Sequence, residues 1–102
     1  FEEGVTDSVP GKLSNLQCLG FLKGSNCPHY DGESERRDAY HRLQKAGMKP
    51  GIACDDGVAA HFVDGELVEF VSSRNAAKAY RVQINQRNIK EDSFCPRFLE
   101  EF

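Results

Sequence analysis

The chain has 102 residues, the usual size of one domain, so a second independent core is not expected. Its 13 basic and 16 acidic residues give a formal net charge of −3 and lie along the whole chain. This pattern argues against a basic surface for nucleic acid or anionic lipid. The chain contains no apolar run near the ~20 residues that span a bilayer, and its four cysteines form no Cys-x-x-Cys pair. We therefore expect a soluble, cytoplasmic protein.

The first third of the chain predicts one buried strand and one loop. Residues 1–17 mix polar residues with turn formers, which indicates a helix end followed by a connecting loop. The run Leu-Gln-Cys-Leu-Gly-Phe-Leu at 16–22 is short and apolar, as is typical of a buried parallel strand. Residues 24–32 are rich in breakers and predict a loop at the carboxyl end of that strand. Open α/β sheets place their chemistry there.

The segment 33–46 is predicted to be a helix. Apolar residues recur at helical spacing (Ala39, Tyr40, Leu43 and Ala46), and charged residues cover the other faces (Glu35, Arg36, Asp38, Arg42 and Lys45). Asp31 or Ser34 is placed to cap its beginning, and Gly47 follows its end. This amphipathic pattern makes it the strongest element of the sequence.

The remainder of the chain predicts a further parallel strand and then antiparallel strands. The predicted elements are a strand at Gly51–Cys54, a hairpin formed by Val58–Val63 and 66–71 around an Asp-Gly turn, and a strand at 79–84. Residues 85–102 are charged and predict only a terminal turn or short helix. The order of elements fits an α/β fold that forms the second half of a three-layer sheet. Upstream sequence or a partner chain would then cover the exposed sheet edge.

One histidine and three aspartates are candidates for catalysis. His29 lies in the strand-to-helix loop, where it could serve as a base or simply hydrogen-bond the loop. Either Asp55 or Asp56, in the Asp-Asp-Gly sequence after the second strand, could orient an imidazole, or the sequence could form only a turn. Asp7 is a second candidate carboxylate, with an Asx turn or helix cap as the structural alternative.

A nucleophile and a metal site are harder to find. Ser25 and Cys27 precede His29 in the same loop, but neither lies in a Gly-x-Ser-x-Gly elbow, so we interpret them as a turn hydroxyl and a buried thiol. A zinc site could combine Cys27, His29, Cys54 and His61, but the sequence has no close Cys-x-x-Cys or His-x-x-x-His unit that would begin one. No metal or cofactor is therefore expected, and His41 and His61 are interpreted as structural or solvent-facing.

The sequence resembles the carboxyl half of the peptidase E family of serine peptidases. The resemblance rests on Gly-Ser-Asn-Cys-Pro-His-Tyr-Asp-Gly-Glu at 24–33 and Cys-Asp-Asp-Gly-Val-Ala-Ala-His-Phe-Val-Asp-Gly at 54–65. It implies the α/β sandwich of class I glutamine amidotransferases, with the family histidine at His29 and the acidic partner at Asp56, where some members carry glutamate. Asp7 matches another acidic position near the family site and is the rival third member of the triad.

Residues 1–8 look like the stretch that follows the nucleophile elbow of that family, and the elbow itself would end a few residues before Phe1. Residues 1–102 would thus be the carboxyl-terminal portion of one peptidase E-like domain, supplying the histidine without the serine and inactive alone. Peptidase E proper looks to carry an arginine shortly before the position of Asp7, where this chain has Glu-Gly-Val-Thr at 3–6.

The leading hypothesis from the resemblance is a serine peptidase of small peptides, with dipeptides that begin with aspartate as one candidate class. One alternative is an inactive fragment or interaction module that binds a partner through its exposed sheet edge and hairpin. Another is a cyanophycin-degrading peptidase. None of these three hypotheses includes a nucleic acid or a membrane as a partner.

Overall fold

The computed structural model describes residues 1–9, 12–32 and 35–99. Within these ranges the chain forms nine strands and one helix. In chain order they are β1 (Glu3–Val9), β2 (Lys12–Gln17), β3 (Ser25–Cys27), α1 (Arg36–Lys45), β4 (Gly51–Cys54), β5 (Val58–Val63), β6 (Glu66–Ser72), β7 (Ala79–Asn85), β8 (Asn88–Phe94) and β9 (Arg97–Phe98). No helix in the described ranges is long and apolar enough to cross a membrane.

The strands form two sheets. The larger sheet has six strands in the order β2-β1-β3-β4-β7-β8, and the smaller has three in the order β5-β6-β9. β1, β3 and β4 run parallel, whereas β2, β7 and β8 pair antiparallel with their neighbours. Helix α1 connects β3 to β4, as the crossover between two parallel strands requires. The chain is therefore a mixed α/β protein, as predicted.

The core divides between the two faces of the larger sheet. Tyr40 of α1 packs with Ala53 of β4 and Val82 of β7 in one buried cluster. Ile52 and Cys54, the neighbours of Ala53 along β4, belong to the other cluster. Because successive side chains of a strand point to opposite faces, β4 lies between two apolar layers. This explains why the whole of β4 is apolar and buried.

Side-chain hydrogen bonds fix α1 to the larger sheet. The Arg36 guanidinium is 2% exposed and donates to the carbonyl of Val5 in β1 at 3.2 Å. The Gln44 amide donates to the carbonyl of Val82 in β7 at 3.0 Å. The assignment of Arg36 to the solvent face was wrong, because its side chain reaches across the sheet to an inner strand. The helix begins at Arg36 and ends at Lys45, inside the predicted range 33–46.

Most of the second half of the chain agrees with the prediction. Gly51–Cys54 is a strand, and Val58–Val63 pairs antiparallel with β6 around a turn at Asp64 and Gly65. Both turn residues have positive φ, 51° and 80°, as a tight hairpin requires. The strand predicted at 79–84 is β7, one residue longer.

Four sequence predictions were wrong. The apolar run 16–22 is no buried strand, because the strand β2 ends at Gln17 and the chain then turns through Gly20 at φ 81°. The loop predicted at 24–32 contains the short strand β3 instead. The segment predicted as a helix end and loop contains the antiparallel pair β1 and β2 instead, and the segment predicted as a terminal turn or short helix contains β8 and β9.

Candidate active site

His29 lies just past the carboxyl end of β3, in the connection to α1. Its φ of 54° is in the left-handed region, where few residues other than glycine are found. The backbone N–H of Tyr30 donates to the carbonyl of Cys54 at 2.9 Å, and that of Gly32 donates to the carbonyl of His29 at 3.2 Å. The first bond attaches the His29 loop to the end of the neighbouring strand β4, and the second closes a turn within the loop. The imidazole itself is 59% exposed.

Asp56 follows β4 and reaches the His29 ring. Its Oδ1 lies 2.5 Å from Nδ1 of His29. Because an ionised carboxylate can only accept, Nδ1 carries the shared hydrogen, and Nε2 of the neutral ring has a lone pair for another proton. In the described part of the chain, Nδ1 is the only ring nitrogen of His29 that makes a hydrogen bond. The pair can therefore accept a proton from a group placed beside Nε2.

The backbone of Asp56 is held on both sides. Its N–H donates to Oδ1 of Asp31 at 2.8 Å, and its carbonyl accepts from Nη1 of Arg74 at 2.8 Å. The same Arg74 nitrogen lies 3.1 Å from Oδ2 of Asp31. Burial acts to raise the pKa of Asp31. The hydrogen bonds from the Asp56 N–H and from Arg74, together with the charge of Arg74, outweigh burial and hold the pKa of Asp31 below its usual value. Asp31, predicted as a helix cap, joins the His29 loop to the Asp56 turn instead.

Gly32 lies directly against the Asp56 carboxylate. A Cβ added to this glycine would be 1.9 Å from Oδ2 of Asp56 and 2.7 Å from its Cγ. Such distances lie far inside ordinary van der Waals contact, so a side chain at this position is incompatible with the observed carboxylate. The absence of a side chain at Gly32 therefore leaves room for the Asp56 carboxylate in the position from which it contacts His29.

A polar cluster fixes the residue after His29. The hydroxyl of Tyr30 donates to Oε2 of Glu91 at 2.5 Å, and Nε2 of His41 lies 2.9 Å from both of these oxygens. The guanidinium of Arg37 bonds the other oxygen of Glu91 and lies 5.3 Å from the centroid of the Tyr30 ring. The cluster connects the His29 loop to α1 and β8.

The charges of this cluster shift two pKa values. Burial acts to raise the pKa of Glu91, but hydrogen bonds from Tyr30, His41 and Arg37 together hold it below its usual value. Burial, and then the Glu91 carboxylate, raise the pKa of Tyr30, so that its hydroxyl stays protonated and donates. Glu91 was not predicted as a functional residue, because it lies in a segment predicted to have little structure. Ile89 and Glu91 share the less exposed face of β8, and their spacing of two residues is the only signal of this position in the sequence.

Of the other residues considered from the sequence, Asp55 and Ser25 make structural hydrogen bonds, and the side chain of Asp7 is not among those that the structure describes. The Asp55 carboxylate accepts from the N–H of Lys78 at 2.9 Å, and burial raises its pKa. Ser25 is fully buried, with its hydroxyl 2.6 Å from both the Tyr40 hydroxyl and the Lys49 carbonyl. The backbone of Asp7 belongs to β1, and its side chain lies outside the described structure.

The cysteines and histidines considered as metal ligands have different surroundings in the structure. Cys27 is a fully buried core residue, and burial followed by the charge of Asp55 raises the pKa of Cys54 to about 11. His61 lies on β5, in the smaller sheet. The described side chains form no group of three or more histidine, cysteine, aspartate or glutamate residues that could hold a metal ion.

The fold and the His29–Asp56 pair together have an arrangement that is typical of hydrolases. In many hydrolases a mixed α/β sheet presents a histidine–carboxylate pair at the carboxyl ends of its parallel strands. Residues 1–70 match the peptidase family S51, and the chain belongs to this family. This finding confirms the resemblance to peptidase E drawn from the motifs.

A curated relative extends the match over almost the whole chain. The chain is 55% identical over 100 residues to a protein of Bacillus subtilis (strain 168) described as the uncharacterized peptidase YgaJ. The match covers 97% of this chain and 43% of that relative, so the chain spans less than half the length of the relative. No solved structure matches the chain significantly.

Proposed function

We propose that the whole protein containing this chain is a serine peptidase of small peptides, with His29 as its general base. The observation that carries the proposal is the 2.5 Å contact between Nδ1 of His29 and Oδ1 of Asp56. This contact holds the imidazole in the form whose Nε2 can accept a proton, and the ring is more than half exposed for a reacting group to approach. Membership of a peptidase family supports the reaction class.

In the proposed mechanism, a serine of the part of the protein that precedes this chain attacks the peptide carbonyl. Nε2 of His29 takes the serine proton and then gives it to the leaving amine, and Asp56 stabilises the charged imidazolium without itself becoming protonated. Water then hydrolyses the acyl-enzyme by the same proton transfers in reverse order. Asp7 is the rival carboxylate in this proposal.

We propose further that the nucleophilic serine belongs to a segment that covers the β2 side of the larger sheet. The whole protein would then form an α/β sandwich like that of class I glutamine amidotransferases. Leu19 and Phe21, just beyond the edge strand β2, are each 86% exposed. Two neighbouring large apolar side chains so exposed favour burial by further polypeptide. The relative, more than twice as long as this chain, has the length to supply it.

The proposal is tested by fluorophosphonate labelling of the full-length protein. We expect covalent modification of one serine upstream of this chain, and we expect His29→Ala to slow that labelling by about 10³-fold or more. His61→Ala is the matched control, because His61 is exposed on β5, and it should label like the parent. Labelling that fails in the parent protein, or that is unaffected by His29→Ala, would contradict the proposal and favour an inactive interaction module.

The substrate class is tested separately. Turnover of a panel of dipeptides beginning with aspartate, of neutral dipeptides and of cyanophycin distinguishes the three candidate specificities. We expect small peptides to be cleaved. Cleavage of cyanophycin alone would contradict that part of the proposal while leaving the role of His29 intact.

A further inference from the structure

We propose that Arg74 and Asp31 are positioning residues that hold Asp56 against His29 by clamping the Asp56 peptide from both sides. The catalytic consequence of this inference rests on the proposed function, but the positioning itself does not. Asp31 lies two residues after His29, and Arg74 lies beyond the end of β6. Two separate parts of the chain therefore converge on the turn that carries Asp56.

The geometry of the clamp is complete within the described residues. The Asp56 N–H donates to one oxygen of Asp31, at 2.8 Å, while Nη1 of Arg74 lies 3.1 Å from the other oxygen. The same Nη1 donates to the Asp56 carbonyl at 2.8 Å, which closes the ring of contacts. With both polar groups of its backbone held, the Asp56 residue has a fixed Cα position from which its carboxylate reaches His29.

Arg74 is itself held in place by the end of β6. Its backbone N–H donates to the hydroxyl of Ser72 at 3.0 Å, and the same hydroxyl donates to the Arg74 carbonyl at 2.8 Å. Ser72 is 2% exposed, so this turn is anchored in the core. The N–H of Ser73 also donates to the carbonyl of Gly57, the residue after Asp56, at 3.0 Å. The guanidinium is thus presented to the Asp56 turn by fixed backbone.

The exposure of the clamp argues for positioning rather than for stability. The side chains of Arg74 and Asp31 are 48% and 36% exposed. Ion pairs this open to water contribute little to the free energy of unfolding. Their distinguishing contacts are the two bonds to the Asp56 backbone, which fix the point from which the carboxylate extends.

The tautomer of His29 tests the inference without any assay of activity. We would label the histidines of the full-length protein with ¹⁵N and record imidazole shifts at about pH 9, where histidines are neutral. Comparison with the His29→Gln variant identifies the imidazole signals that belong to His29. In the parent protein we expect the Nδ1–H form to dominate, because Asp56 holds that hydrogen. In Arg74→Met, which keeps the aliphatic stem and removes both hydrogen bonds, we expect the ratio of Nδ1–H to Nε2–H to fall about tenfold.

Controls separate positioning from loss of charge or fold. Arg81→Met removes the same charge from an exposed position on β7 and should leave the tautomer ratio at the parent value. If Arg74→Met does not fold, Arg74→Gln takes its place with the same expected direction. A ratio in the folded variant equal to that of the parent would overturn the inference. Fluorophosphonate labelling can fail while the ratio still changes, so failure of the proposed function is distinguishable from failure of the clamp.

Discussion

Replacing Gly32 by alanine tests the contact between Asp56 and His29 with a single methyl group. The new Cβ would lie 1.9 Å from Oδ2 of Asp56, whereas ordinary contact begins near 3.4 Å. The carboxylate must therefore retreat by about 1.5 Å. Because both oxygens belong to one planar carboxylate, this movement also displaces Oδ1, which lies 2.5 Å from Nδ1 of His29. Gly32 does not have a positive φ, so its backbone accepts alanine without strain.

We expect Gly32→Ala to slow fluorophosphonate labelling of the full-length protein by about 10²-fold, the usual cost of displacing a catalytic group by an ångström. The free energy of unfolding should change by less than about 1 kcal/mol, because the site is exposed. Gly4→Ala is the control, since its Cβ would meet its nearest neighbours at 3.5 and 3.7 Å and displace nothing. A Gly32→Ala protein that is folded and labels within about twofold of the parent would refute the reasoning.

Two further predictions concern the scaffold. Gly51→Ala places a Cβ 1.9 Å from the backbone oxygen of Ser25, so urea unfolding should show a loss of about 3 kcal/mol, and a loss below about 1 kcal/mol would contradict the close packing of β3 on β4. The pKa of Glu91 is lowered on folding, so its contribution to stability is present above about pH 4.5 and disappears as the pH falls through the folded value. The loss of unfolding free energy between about pH 5 and pH 3 should therefore be smaller in Glu91→Gln than in the parent, and unchanged in the exposed control Glu66→Gln; equal losses in all three proteins would contradict the cluster.

The elements predicted well from the sequence are those whose signals are local. The helix has an apolar face of period 3.6, and the hairpin has an Asp-Gly turn whose positive φ values the structure shows directly. The strand β4 is apolar at every position because both faces of the sheet are covered around it. In each case the cause of the structure lies within a few residues of the element itself.

The elements predicted wrongly depend on distant partners. The apolar run at 16–22 has the composition of a buried strand, yet Leu19 and Phe21 are almost fully exposed, and composition alone cannot indicate which apolar segments the fold covers. The real strand β3 has only three residues and pairs with β1 and β4 on its two sides. The polar strand β8 is likewise stabilised by antiparallel pairing with β7 rather than by its own propensity.

The candidate site follows the same division. The position of His29 between a strand and a helix, and of Asp56 before a glycine, could be read from the sequence. The contributions of Arg74 and Glu91 could not, because these residues lie 18 and 35 positions beyond Asp56 and reach the site only through the sheet topology. Asp31 was assigned a local capping role, whereas its partners belong to two other segments.

The most direct measurement is a crystal structure of the full-length protein modified by a fluorophosphonate. We expect a modified serine, upstream of this chain, whose Oγ lies about 3 Å from Nε2 of His29. We expect Asp56 still to be bonded to Nδ1 of His29. A modified serine that lies beside another histidine, or a His29 ring that faces no nucleophile, would contradict it.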